Sequence, residues 1–181
     1  MLSFESKITE KILSYYFFNP KAKRYSQELA KMFSFDPKNV HRKLLELEKV
    51  GLLKSEYRGR ERYFWLNKNH PLLKSYKEIF SKTVGLEKRL EKIAKKTKSL
   101  KKFYIYGSYA KDRMDSSSDI DLLAVGDHSV LSLQKEINLL QKETGREFNV
   151  INLSEKEFRE RQKKKDPFLK EIFIQKIIRI L

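Results

Sequence analysis

The residues of this 181-residue chain best suited to chemistry are Gly107-Ser108 and, ten residues further on, Asp119-Ile120-Asp121. Gly107 lets the backbone turn sharply and approach a ligand with no Cβ in the way. Ser108 then opens a short helix, whose unpaired N–H groups, partial positive charge and hydroxyl suit a triphosphate. On an alternating strand, Asp119 and Asp121 project from one face while Ile120 and Leu122 point into the core. Two carboxylates on one face suit hard cations. Mg2+ takes oxygen ligands at about 2.1 Å in octahedral geometry, and two ions roughly 4 Å apart clamp both the attacking and the leaving oxygen of an in-line displacement. Alone, an Asp-X-Asp reads as an exposed strand and a Gly-Ser as a turn. Together they are far less accidental, because the strand-like Phe103 to Tyr106 enters the turn and the aliphatic Leu122 to Val125 continues from the acids. Gly107 to Arg113 lacks the Gly-Lys-Ser/Thr ending of a Walker loop.

This run resembles the signature of the DNA polymerase β nucleotidyltransferase superfamily, in its minimal nucleotidyltransferase branch. The resemblance implies an α+β fold with a small mixed β-sheet flanked by helices, and transfer of a nucleoside monophosphate from a nucleoside triphosphate to a hydroxyl with release of pyrophosphate. It also implies that Gly107 and Ser108 hold phosphates, that Asp119 and Asp121 ligate Mg2+, and that a later strand supplies a third carboxylate. The candidate for that position is Glu147, in Gly145-Arg146-Glu147-Phe148-Asn149-Val150-Ile151-Asn152, where Glu147 and Asn149 share one strand face. The family usually has an aspartate within an apolar strand here. This chain has a glutamate near the strand start and an asparagine where another carboxylate would stand, and an amide ligates a metal with less charge and cannot act as a base. Among Lys111, Arg113 and Arg146, Arg113 is the favoured phosphate contact because it lies between the halves of the motif. Ser116-Ser117-Ser118 reads as a loop, with Ser118 at the entry to the acidic strand and a candidate nucleotide contact.

Composition bounds what can position these residues. With 40% hydrophobic residues the chain is long enough for one sizeable domain or two small ones, and two are expected. There is no cysteine, so disulfides and thiolate metal sites are excluded, and His41, His70 and His128 show no ligand spacing. With neither a signal-peptide-like N-terminus nor an apolar run long enough for a membrane span, a cytoplasmic protein is expected. The net charge of +16 is uneven: residues 1–70 carry 15 Lys/Arg against 8 Asp/Glu, residues 71–102 carry 11 against 3, and residues 103–181 carry 14 against 13. A basic module beside a nucleotide-handling one points to nucleic acid as a partner, since phosphate neutralisation releases counterions.

The order of elements in residues 1–68 sharpens that reading. A helix over about Glu5 to Phe18 carries Ile8, Ile12, Leu13 and Tyr16 on one side and ends at Asn19-Pro20. A short helix over Ser26 to Phe33 follows. Asp36 and Pro37 then form an N-cap and first-turn pair for a third helix, which buries Val40, Leu44 and Leu47 and stops at Gly51. Leu52 to Tyr57 and Glu61 to Leu66 flank a turn at Arg58-Gly59-Arg60, giving a hairpin packed by Tyr57, Tyr63, Phe64 and Trp65. Three helices and a hairpin resemble a winged helix-turn-helix domain, which implies a third helix in the DNA major groove and a wing on the backbone. Lys38, Asn39, His41, Arg42 and Lys43 are then the candidate DNA contacts of the helix, and Arg58, Arg60 and Arg62 those of the wing.

The expected organisation is a winged helix-turn-helix domain over 1–68, a connecting helix over 69–102 and a minimal nucleotidyltransferase domain over 103–181. The connecting helix carries a stripe from Leu72 through Tyr76, Ile79, Phe80, Thr83, Leu86, Leu90 and Ile93 to Thr97, with Gly85 as a bending point. Such a stripe must bury itself between the modules or against a second copy, as a homodimer on a palindromic DNA site. A charged helix near Glu155 to Lys165, a new start at Asp166-Pro167 and an apolar tail over Ile172 to Leu181 complete the chain. The whole resembles prokaryotic fused winged-helix nucleotidyltransferases. That likeness implies acceptors ranging from small molecules to RNA ends and proteins, including toxin partners; with no large C-terminal helical domain to shape a drug pocket, a macromolecular acceptor is expected. Two readings follow: an Mg2+-dependent nucleotidyltransferase on a DNA-bound chain, or a DNA-binding regulator or antitoxin-like protein whose transferase domain only senses nucleotide or is inactive.

Overall fold

The structure is a computed structural model describing residues 4, 6–114 and 118–181, so Glu5 and Ser116-Ser117 of the readings above lie outside the described residues. The chain divides into two compact units, Met1–Leu86 and Glu87–Leu181. None of the described helices is long and apolar enough to cross a membrane.

The first unit runs α1 (Lys7–Phe18), β1 (Arg24–Tyr25), α2 (Ser26–Phe33), α3 (Pro37–Lys49), β2 (Leu53–Arg58), β3 (Glu61–Leu66) and α4 (Leu73–Thr83). Asp36 caps α3 by accepting from the Asn39 N–H at 3.0 Å, with Pro37 in the first turn, where its missing N–H costs nothing. Gly51, at φ +76°, turns the chain out of α3 into β2. The antiparallel hairpin closes with Arg58 opposite Glu61, and β1 adds to the outer edge of β3, giving a three-stranded sheet in the order β1-β3-β2. Two residues are too few for a strand pattern, which is why β1 is invisible to alternation. One core joins Ile12, Leu13 and Tyr16 of α1 to Leu29, Val40, Leu44, Leu47 and Phe64, and Phe80 of α4 packs into it.

The expected continuous helix over 69–102 is corrected to two helices, α4 and α5 (Leu86–Lys96), followed from Leu100 by a strand. Val84 leaves helical geometry at φ −134°, and Gly85 N–H folds back to the Phe80 carbonyl at 2.7 Å. A Cβ at Gly85 would stand 2.9 Å from Ser81 Cα and Phe80 Cδ1, so the break needs glycine for space. The stripe therefore divides: Phe80 is buried, Leu72 and Ile79 are exposed, and Leu90, Ile93 and Ala94 are buried on α5.

The second unit continues through β4 (Leu100–Tyr106), α6 (Gly107–Ala110), β5 (Ile120–Gly126), α7 (Val130–Thr144), β6 (Phe148–Leu153), α8 (Glu155–Lys163), α9 (Pro167–Ile174) and β7 (Ile178–Arg179). Its mixed sheet has the order β6-β5-β4-β7, with β5 and β6 parallel and both pairings of β4 antiparallel. Parallel β5 and β6 need a crossover, which α7 supplies between a Ser129 cap and Gly145 at φ +66°. The C-terminal tail does more than pack: β7 extends the sheet beside β4, and the Ile180 N–H reaches the Phe103 carbonyl at 2.8 Å. Tyr104, Leu123, Val125, Phe158, Leu169 and Ile172 share a core beneath it.

Candidate active site

The candidate residues of the second unit meet at one end of its sheet, because β4 ends where β5 begins. Tyr106, the last residue of β4, lies opposite Asp121, so Gly107 is delivered directly to the acidic strand. Gly107 has φ +71°, and a Cβ there would collide with Asp121 Oδ2 and lie 3.2 Å from its Cγ. Conformation and space both demand glycine. The single turn of α6 is then closed by the Lys111 N–H on the Gly107 carbonyl at 3.3 Å and the Arg113 N–H on the Ser108 carbonyl at 3.0 Å.

Asp119 immediately precedes β5 and Asp121 is its second residue. Their carboxylates converge on the amide of Asn149, which lies opposite Asp121 in the parallel pairing of β5 with β6. Asn149 Nδ2 donates to Asp119 Oδ2 at 3.2 Å and to Asp121 Oδ1 at 3.5 Å. One Asp121 oxygen thus faces Gly107 and the other faces Asn149 and, through it, Asp119. Burial pushes the Asp121 carboxyl above its usual range, opposed by the Asn149 hydrogen bond and reinforced by the charge of Asp119. Beside it, burial and the Asp121 charge push the Tyr106 phenol up to about 12.

Glu147 stands just before β6 and is exposed. Its carbonyl accepts from the Ile120 N–H at 3.0 Å, tying the entries of the two strands together, and among the described residues no three His, Asp or Glu side chains stand close enough to share a metal ion, so its carboxylate does not complete a set with the aspartates. Asn149, not Glu147, is the side chain that the fold brings to the acidic pair. Arg113 is exposed and Ser118 half-buried. Arg146 is 5% exposed and donates from Nη1 to the Ser118 carbonyl at 3.3 Å, fixing the backbone one residue before Asp119. Its burial has no signal in the sequence, where Arg113 sits closer to the motif. His128 is also buried; its Nε2 lies 2.9 Å from Asn152 Oδ1, and its Nδ1 is buried without a hydrogen-bond partner among the described residues.

In the first unit, Lys38, Asn39 and Arg42 are exposed on α3, with Arg42 donating to Asn39 Oδ1 at 3.4 Å. The His41 ring stacks edge-on against Phe64, and Lys43 pairs with Glu46 at 2.6 Å. On the β2–β3 hairpin, Arg58 pairs with Glu56 and Arg62 with Glu48 at 2.7 Å, leaving Arg60 as an exposed cation at the tip with no ion pair among the described residues. The hairpin is therefore less cationic than its arginine count.

A sequence model of the nucleotidyltransferase domain family matches residues 86–180, more than half of the chain. The chain belongs to that family. Its nucleotidyltransferase domain thus spans α5 to β7, and the Gly107, Asp119 and Asp121 geometry falls within it. No curated protein matches the chain. A crystal structure of a toxin–antitoxin with AMP-PNP aligns at a TM-score of 0.39 and 13% identity, over 52% of this chain and 72% of that one. A Sulfolobus solfataricus protein assigned as a nucleotidyltransferase aligns at 0.32 and 21% identity, over 52% and 83%.

Proposed function

We propose that the nucleotidyltransferase domain transfers a nucleoside monophosphate from a nucleoside triphosphate to a hydroxyl of a macromolecular acceptor, in a reaction that depends on Mg2+. The observation that carries this reading is the convergence of Asp119, Asp121 and Gly107 at one sheet end. The donor set suits a hard cation: two carboxylates already point at a common position, held by a neutral amide that carries no competing charge. Asp119 and Asp121 are the residues that would hold Mg2+, which when bound would neutralise phosphate charge and make the phosphorus under attack more electrophilic. Gly107 admits the triphosphate beside Asp121, and the Ser108 hydroxyl with the N–H groups of the turn binds its phosphate oxygens. Arg146 keeps the strand entry in place by holding the Ser118 carbonyl, and Arg113 reaches phosphate from the exposed side. The test is incubation with labelled nucleoside triphosphates and candidate acceptors, with and without chelator. Chelator-sensitive labelling that Asp119→Ala or Asp121→Ala abolishes is expected, whereas equal labelling by both variants would overturn the reading.

The first unit we read as a winged helix-turn-helix that binds DNA, because helix α3 with exposed Lys38, Asn39 and Arg42 precedes a hairpin tipped by Arg60. Binding to the chain's own promoter is expected to fall steeply with salt and to weaken in Arg60→Ala; binding indifferent to both would sink the assignment.

Asn149 favours a second reading, a DNA-binding regulator whose domain senses nucleotide without transferring it. It stands where a third carboxylate would serve as base, and an amide cannot take a proton. Nucleotide binding without any labelling, and with nucleotide-dependent DNA affinity, would select that reading.

A further inference from the structure

The nucleotidyltransferase unit has two cationic stretches: residues 87–102, with eight Lys/Arg against two acids, and, beyond residue 102, a single run. Arg159 to Lys165 holds five Lys/Arg against one acid, while the rest of 103–181 holds nine against twelve. Arg159 is paired with Glu155. Lys163, Lys164 and Lys165, and Lys170 one helical turn beyond Asp166, are exposed and make no ion pair among the described residues.

This run is a fixed turn. The Lys164 N–H bonds the Glu160 carbonyl at 3.0 Å, the Lys165 N–H the Gln162 carbonyl at 3.1 Å, and the Asp166 N–H the Arg161 carbonyl at 2.9 Å. Asp166 then caps α9 by accepting from the Leu169 N–H at 3.0 Å, with Pro167 in its first turn. Lys165 itself adopts φ +53°. The Lys165 and Asp166 bonds are the pair that closes a helix end, so the end of α8 itself sets Lys165 left-handed, and its dipole favours the cations of its last turn.

The turn is also tethered near the active-site end of the sheet. Phe168, three residues and at most about 11 Å of chain from Lys165, packs edge-on against Tyr106 with ring centroids 6.4 Å apart. Tyr106 is the strand partner of Asp121 and precedes Gly107.

We propose that Lys163, Lys164 and Lys165, with Lys170, form a phosphate-binding rim for a single-stranded nucleic acid, and that this strand is the acceptor presented to the Gly107, Asp119 and Asp121 site. Successive exposed ammonium groups on a rigid turn match successive backbone phosphates, and lysine reads phosphate as a point charge without selecting sequence. A strand held by its phosphates leaves its terminal hydroxyl free to enter beside Asp121. The assignment of the strand as acceptor rests on the nucleotidyl-transfer reading; its binding to the turn does not, so strand binding without labelling would discard the transfer alone.

The experiment uses the full chain carrying Arg58→Ala and Arg60→Ala, so that the wing does not mask the rim. Binding of a fluorescent single-stranded oligonucleotide, as RNA and as DNA, is followed by anisotropy across a salt series. Lys163→Gln/Lys164→Gln/Lys165→Gln is expected to lower the slope of log affinity against log salt by about 2 and to weaken binding at least about tenfold near 0.1 M salt. The corresponding triple arginine variant is expected to retain the slope, because it retains the charge. A fluorescent ATP analogue, titrated in parallel, is expected to bind the glutamine variant as well as the parent. Unchanged oligonucleotide affinity and slope would overturn the proposal, as would loss of the ATP analogue with oligonucleotide binding intact, which would assign the turn to the triphosphate.

Discussion

Gly107 and Asp121 are fitted to one another, and each can be tested. A methyl group at position 107 would meet both a left-handed backbone and the Asp121 carboxylate. Gly107→Ala should therefore displace Asp121, lowering chelator-sensitive labelling at least about 100-fold and destabilising the unit by roughly 2 kcal/mol. Labelling assays paired with urea denaturation check both parts. Asp121 itself should trade stability for function. Its carboxyl is raised above the ordinary 3.8 chiefly by burial, so the native state binds its proton more tightly than the unfolded state does. The charged form is consequently disfavoured in the fold, and the stability it costs grows as pH rises from below 3.8 through the raised value. In chelator, Asp121→Asn should melt above wild type at pH 7, with the gap closing as pH falls into the carboxylate range. A lower Tm at pH 7 would contradict the account. Gly107, Asp119 and Asp121 were legible from residue type and spacing alone. Whether Glu147 or Asn149 approaches them was not, because that depends on the register of β6 against β5, which pairs Asp121 with Asn149. Arg146 was named beside Arg113 as a candidate phosphate contact, but its hold on the Ser118 carbonyl was not legible, because the two lie 28 residues apart in sequence.

Elements with strong local signals were the ones readable in advance. Helix α3 has an Asp36 cap, Pro37 and Gly51, and its observed span of Pro37–Lys49 follows from them. Elements that exist through pairing were not: β1 and β7 are two residues each and are defined by β3 and β4. The long stripe misled because helical periodicity runs across Gly85 without recording that the chain doubles back on Phe80 there. Helix α7 has a Ser129 cap, Leu133, Ile137 and Leu140 on one side and Gly145 at its end, but no chemistry-bearing residue that draws attention to it. Long-range hydrogen bonds join such elements, and one of them is open to measurement. The buried Tyr16 hydroxyl of α1 donates to the Phe64 carbonyl of β3 at 2.9 Å, and burial holds its pKa well above the phenol range. Tyr16→Phe keeps the ring but strands a buried acceptor, so about 1–2 kcal/mol should be lost in urea denaturation. A loss below roughly 0.3 kcal/mol would mean that the carbonyl finds another donor.

At the scale of the molecule, the chain divides at Leu86 and Glu87, within the first turn of α5, and each side has its own core. Separate cores predict separable unfolding, and the ligands provide the means to assign each transition. On the proposed function a nucleoside triphosphate analogue with Mg2+ is expected to bind the native second unit only, and so to stabilise that unit by about 2.7 kcal/mol at a hundredfold excess over its Kd. For a unit of this size that corresponds to a rise of roughly 10 °C or more in one calorimetric transition. The same transition should be the one that Asp121→Asn moves in chelator, and it should stop responding to nucleotide in that variant, since the substitution removes a proposed Mg2+ ligand. Tyr16→Phe should lower the other transition and leave the nucleotide response intact. Calorimetry of the three proteins, each with and without nucleotide, separates these effects without any acceptor being known. A single transition that nucleotide and Tyr16→Phe both shift would show that the two cores unfold as one.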